Sequence, residues 1–168
     1  MSTTSSPLGR VTSLHLHPQE AGAPLQNFEA VEAVAGKGIV GDSRYFGRLS
    51  RYTGQQTRRQ VTLIELEQIA EHSAGLGLQS SPPGAVRSNI ETSGINLIEL
   101  LGREIEIGEA VVLLYATRDP CAKMDAICQG LRGRMMNKRQ GVLAEVIRSG
   151  RIRVGDAIRT QREFGCCC

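Results

Sequence analysis

Arg103-Glu-Ile-Glu-Ile107-Gly108-Glu-Ala110-Val-Val-Leu-Leu-Tyr115-Ala-Thr117 is the stretch whose reading decides the fold. Its first five residues alternate charged and apolar side chains, the period-2 pattern of a strand with one face in a core and one in water. Gly108 interrupts that pattern. Val111 to Thr117 then runs on almost wholly apolar, a strand buried more fully. Neither half has the spacing or the length of a helix, so the stretch is two strands about a glycine turn.

The same grammar repeats on both sides. Val11 to His17 has strand content and stops at Pro18, and Glu29 to Ala35 runs into the turn residues Gly36-Lys-Gly38. Gln60 to Ile64 is a further short strand. Glu65 to Ala74 places Leu66, Ile69 and Ala70 at helical spacing and ends near Gly75. Ser80 to Gly84 is loop, Arg87 to Thr92 strand, and Asn96 to Leu101 a short helical turn. Pro120 to Leu131 is predicted helical, with proline in its first turn. Val142 to Ile147 and Ile152 to Ile158 complete the set as strands separated by Ser149-Gly150. Many short strands with two or three short helices predict a mainly β fold, a barrel carrying helical insertions. Regular alternation of strands with long helices is missing, which argues against a doubly wound sheet.

The 168 residues make about one domain, read here as 10–160 between a polar tail at 1–9 and a cysteine-rich tail at 161–168. Hydrophobic residues at 40% and charged residues at 22% fit a globular domain and argue against disorder. The longest apolar run, Ala110 to Ala116, is far short of the ~20 residues that span a bilayer, so no membrane partner is expected. A net charge of +3 is too weak to announce a nucleic-acid partner. Its distribution tells more. Arg44, Arg48, Arg51, Arg58 and Arg59 fall in a segment without a carboxylate, either an anion-attracting loop or a solvated basic one. The five cysteines (Cys121, Cys128 and Cys166 to Cys168) do not form a disulfide framework, and Met1 to Arg10 has no apolar signal core. Both point to a reducing, cytoplasmic setting. Cys166 to Cys168 are read as a dispensable, oxidisable tail.

Asp119-Pro-Cys121-Ala-Lys123 is the sharpest chemical feature. A cysteine at a helix start meets free N–H groups and the positive end of the macrodipole, and Lys123 adds charge, so thiolate is favoured. Such a thiolate serves as nucleophile, persulfide carrier or soft-metal ligand, and a buried inert cysteine is the competing reading. Cys128 lies two turns on and reads as core. Arg87-Ser-Asn89, placed in a strand, offers a guanidinium and an amide to an anionic or heterocyclic ligand, or a surface ion pair. Gly36-Lys-Gly38-Ile-Val-Gly41 spells a dinucleotide fingerprint, yet no helix follows it. A turn that needs positive φ, with Asp42 capping backbone amides, is the better reading. His15 and His17 share a strand face, but His72 is the sole further histidine and no zinc spacing exists, so they read as structural.

Gly38-Ile-Val-Gly41-Asp42, Arg59-Gln-Val61-Thr-Leu-Ile64, Arg87-Ser-Asn89-Ile90, Ile107-Gly108-Glu-Ala110, Asp119-Pro-Cys121 and Val146-Ile-Arg-Ser-Gly150-Arg-Ile-Arg-Val-Gly155-Asp156 occur in this order. The ordered set resembles the MOSC domain, named for the C-terminal domain of molybdenum-cofactor sulfurase, in its stand-alone form related to 6-hydroxylaminopurine reductase. The resemblance implies a MOSC-type β-barrel that binds the molybdenum cofactor (molybdopterin). It implies catalysis and metal ligation by Cys121. It also implies cofactor contacts from Asp42, Arg44, Arg58, Arg59, Thr62, Arg87, Asn89 and Lys123. The expected activity is reduction of N-hydroxylated small molecules, with electrons from a separate reductase because no ferredoxin-like or flavin segment is present. The alternative is a cofactor-handling module or sulfur carrier with a Cys121 persulfide. One departure stands out: family members often carry His two residues after the Gly-Asp pair, where this chain has Arg44, which cannot act as a neutral base.

Overall fold

The computed structural model describes residues 7–77, 82–118, 133 and 141–160. Cys121, Lys123, Cys128, the helix expected over Pro120 to Leu131 and Cys166 to Cys168 lie outside those residues. In chain order the elements are β1 (Gly9–Leu16), β2 (Gln26–Phe28), β3 (Ala30–Val34), β4 (Gly38–Ile39), β5 (Val61–Glu65), α1 (Leu66–Gly75) and β6 (Ile90–Ser93). A single 3-10 turn, Ile98–Leu100, precedes β7 (Glu104–Ile107), β8 (Ala110–Thr117), β9 (Val142–Arg148), β10 (Gly150–Arg153) and β11 (Ala157–Thr160).

Seven strands close into a barrel in the order β11-β7-β8-β9-β5-β6-β1, sealed by pairing of β1 with β11 at Gly9↔Ile158 and Arg10↔Ala157. An odd ring cannot alternate strand direction all the way round, so one neighbouring pair must be parallel. That pair is β5–β6 (Leu63↔Ile90, Ile64↔Glu91), and the other pairings are antiparallel. A parallel pair needs a crossover, and α1 supplies it between β5 and β6. The alternation read in Arg103 to Ile107 appears as β7, with Ile105 and Ile107 fully buried. A second, three-stranded sheet, β10-β3-β4, packs beside the barrel, and β2 extends it from the end of β1.

Three expectations are corrected. Gly9 belongs to β1, and the Leu8 N–H donates to the Ile158 carbonyl at 2.7 Å, so the polar tail stops short of Leu8. Ile152 to Ile158 is not one strand: the Asp156 carboxylate takes the Arg153 N–H at 2.7 Å and the Asp156 N–H closes on Arg153 O at 3.0 Å. That turn sends β10 into the small sheet and β11 into the barrel seam. Arg87 is not in a strand; its φ of 61° is left-handed, and β6 begins three residues later at Ile90.

Candidate functional site

The turn after β4 is built by backbone conformation. Gly38 and Gly41 have φ of 115° and 89°, values a side chain strongly disfavours, and together they aim Asp42 inward. Asp42 is 3% exposed and its carboxylate is surrounded by donors. Oδ1 accepts the N–H groups of Arg44 (3.0 Å) and Tyr45 (2.9 Å). Oδ2 accepts the His17 N–H (3.0 Å), lies 2.8 Å from His17 Nδ1, and accepts from Asn89 Nδ2 at 2.9 Å. Burial would push this carboxyl upward. The His17 side-chain bond, its backbone N–H, its charge and the Tyr45 N–H outweigh burial, so Asp42 is held below its ordinary value and stays ionised.

Asn89 ties this turn to the barrel. Its Oδ1 accepts from the Thr62 N–H and hydroxyl, both at 3.1 Å, and its Nδ2 donates to His15 O (3.0 Å) as well as to Asp42. The Thr62 hydroxyl in turn accepts the Asn89 N–H at 3.0 Å. Both ends of the amide are used up, and Asn89 and Thr62 are fully buried. Asp42, Thr62 and Asn89, all expected at the cofactor, are thus bonded to one another and to nearby backbone, and together they fix a wall.

In front of that wall is an open cleft of about 800 Å3, lined by His17, Arg44, Arg48, Arg51 and Arg87 together with Phe46, Ser43 and the loop Pro18 to Gly22. Four guanidiniums face one carboxylate, Glu20. Arg87 bridges the cleft, its Nη1 donating to Ala23 O at 2.9 Å, while its buried Nε has no hydrogen-bond partner among the described residues. The basic segment thus divides. Arg44, Arg48 and Arg51 line the cleft, whereas Arg58 pairs with Glu145 Oε1 at 3.1 Å and lies 4.3 Å over the Tyr115 ring. The guanidiniums of Arg59 and Arg44 lie 5.7 and 5.6 Å from the Tyr45 ring centroid.

Arg118 is bonded next to that wall. Its Nη1 donates to Ser88 Oγ at 3.0 Å, beside Asn89, and its N–H donates to Gly141 O at 3.0 Å. Cys121 follows Arg118 by three positions in the chain. Among the described residues no group of three His, Cys, Asp or Glu side chains could hold a metal ion. Sequence alone does not reveal the role of His17, because its partner, Asp42, lies 25 positions away and the local His15–His17 spacing carries no sign of that pairing.

The MOSC domain profile matches residues 30–159. The chain belongs to the MOSC domain family. Members of this family generally bind the molybdenum cofactor. Solved structures share its fold: YuaD from Bacillus subtilis has a TM-score of 0.76 at 20% identity, covering 92% of this chain and 97% of that one. YiiM from Escherichia coli has a TM-score of 0.63 at 16% identity, covering 92% of this MOSC chain and 71% of its own. YiiM from Geobacillus stearothermophilus has 0.64 at 16%, covering 95% and 77%. Among curated proteins nothing matches this MOSC chain. No helix among the described residues is long and apolar enough to cross a membrane.

Proposed function

We propose that this MOSC domain is a molybdenum-cofactor-dependent reductase of N-hydroxylated small molecules, of the type related to 6-hydroxylaminopurine reductase, fed by a separate electron-donor protein. The observation that carries the reading is the Arg87 Nε: a buried, unpartnered donor in an arginine-lined cleft. A buried N–H without an acceptor is costly, and an anionic group bound in the cleft satisfies it.

The residues present fit the cofactor on its charged side. A cleft of about 800 Å3 lies within the roughly 300–1,000 Å3 of cofactor sites, and four guanidiniums suit a phosphate and a polar heterocycle. Arg44, Arg48, Arg51 and Arg87 would hold it, while Asp42, Thr62 and Asn89 keep the wall rigid behind it. Cys121 is the soft thiolate suited to ligate molybdenum. When bound, the cofactor supplies the metal centre that exchanges electrons with substrate.

The test is to produce the protein in a cofactor-competent host and measure molybdenum, pterin and amidoxime turnover for wild type, Arg87→Gln and Cys121→Ser. Wild type should carry the cofactor and turn over. Arg87→Gln should lose cofactor, and Cys121→Ser should fold yet lose turnover. Metal-free wild type bearing a persulfide on Cys121 would replace this reading with the sulfur-carrier one.

A further inference from the structure

Three histidines exist in the chain, and all are buried. His15 Nδ1 lies 2.9 Å from Ser88 O, and its Nε2, 3.3 Å from Glu91 Oε2, makes no hydrogen bond among the described residues. His17 Nδ1 is committed to Asp42 at 2.8 Å, while its Nε2 is likewise buried with no hydrogen-bond partner among the described residues. The ring lines the arginine cleft at 3% exposure and is held edge-on against Tyr45, with centroids 5.2 Å apart at 82°.

The chemistry of the pair follows from Asp42. An ionised carboxylate that only accepts requires the proton on Nδ1, which leaves Nε2 as the exchangeable position of a ring that lines the cleft. Two constraints, the carboxylate and the Tyr45 ring, fix the direction in which that proton moves. The arginines of the cleft cannot do this work, because a guanidinium does not release its proton.

We propose that His17 is a catalytic residue of this cleft: its Nε2 delivers a proton to the oxygen leaving an N-hydroxylated substrate, with Asp42 as the positioning residue. The proposal rests on the reductase reading above. The overall change is R–NH–OH plus two electrons and two protons, giving R–NH2 and water. The N–O bond breaks. The His17 proton joins the departing hydroxyl as water, and a second proton, from solvent at the open cleft, joins nitrogen. The electrons come from the bound redox centre and are replaced by the separate reductase. His17 is left neutral with its Nδ1–H on Asp42, and regains its proton from solvent. Groups around it that shape its pH response are Asp42, Tyr45, Glu20 and the four cleft arginines.

Two measurements test this. In cofactor-free protein labelled with 15N-histidine, long-range 1H–15N spectra should place the neutral His17 proton on Nδ1, and Asp42→Asn should reverse the tautomer. A wild-type His17 protonated on Nε2, with bare Nδ1 towards Asp42, overturns the proposal. In loaded enzyme, His17→Gln keeps a donor near the Nε2 position and His17→Asn keeps one near Nδ1. Either variant should retain cofactor but lose about 100-fold or more in kcat, as general acids are worth roughly 10²–10⁴-fold, and its pH–rate profile should flatten. Wild-type turnover and an unchanged profile in both variants overturn the proposal alone. Loaded wild type that reduces no N-hydroxylated compound overturns the reductase reading and this proposal with it.

Discussion

Asn89 Nδ2 donates to Asp42 Oδ2 at 2.9 Å, and this one bond couples the barrel to the glycine turn that carries the site. Because the other three positions of the amide are bonded to Thr62 and His15, the side chain cannot rotate without breaking the set. Asn89→Ala should cost about 3 kcal/mol or more, since four buried hydrogen bonds are lost together. Thr62→Val should cost about 1–2 kcal/mol, as fewer groups are orphaned. Urea unfolding at constant m-value measures both. A loss below about 1 kcal/mol for Asn89→Ala would show that the wall does not depend on this amide.

Asp42 should govern part of the acid sensitivity. Its folded pKa lies below the ordinary value of 3.8, so its stabilising contribution is present above that value and is lost as pH falls through the folded one. Asp42→Asn should therefore be less stable than wild type at neutral pH, with the gap closing on acidification. Thermal unfolding between neutral and strongly acidic pH checks this. A gap independent of pH would place the source elsewhere.

The basic loop should split by function. Arg48 and Arg51 are exposed and line the cleft, so Arg48→Glu with Arg51→Glu should leave Tm nearly unchanged and reduce cofactor retention, less so at high salt. Arg58 is 56% exposed and pairs with Glu145, so Arg58→Ala should shift stability by under about 1 kcal/mol and leave retention intact. Molybdenum content after gel filtration ranks the variants, and the reverse ranking would return the loop to solvated surface.

Gly141 is the most demanding backbone position near the site. Its φ is 84°, and an added Cβ would fall on the Leu63 carbonyl oxygen of β5, while its own carbonyl accepts the Arg118 N–H. Gly141→Ala should lose more than about 3 kcal/mol or fail to fold. Gly22, with φ of 82° and open space around it, should cost only about 1 kcal/mol on the same change. Equal losses at the two positions would rule out the steric account.

The barrel was legible from sequence because its strands carry local signals. Arg103 to Ile107 alternates, Val111 to Thr117 is a buried run, and α1 was foreseen at Glu65 to Ala74 against Leu66–Gly75. The turn at Asp42 was legible too, from glycine chemistry and a short acceptor side chain. What periodicity cannot carry is pairing over distance. The seam joins Gly9 to Ile158, and the division of Ile152 to Ile158 between two sheets depends on one carboxylate, Asp156. The site suffered most from this. Asn89 read as a ligand contact because its four internal partners are spread over β1, β5 and the glycine turn, and His17 read as structural because Asp42 is remote in sequence. Arg87 read as strand because nothing in its side chain signals a left-handed backbone.

The seven-strand ring has a consequence for how such a protein can change. Closure with one parallel pair fixes the parity of the barrel, so away from the β5–β6 pair a lone antiparallel strand can be neither inserted nor deleted without forcing a second parallel neighbour or opening the seam. Growth or shrinkage by whole hairpins keeps the ring consistent. The crossover through α1 is then the one connection that no hairpin can replace, because a two-residue turn cannot return the chain in the same direction. Variation during descent, or by design, is thus channelled into paired strands and into loops between antiparallel neighbours. The excursion between β8 and β9, whose two ends are bonded to each other through Arg118 and Gly141, is one such place where length can change while the ring stays shut.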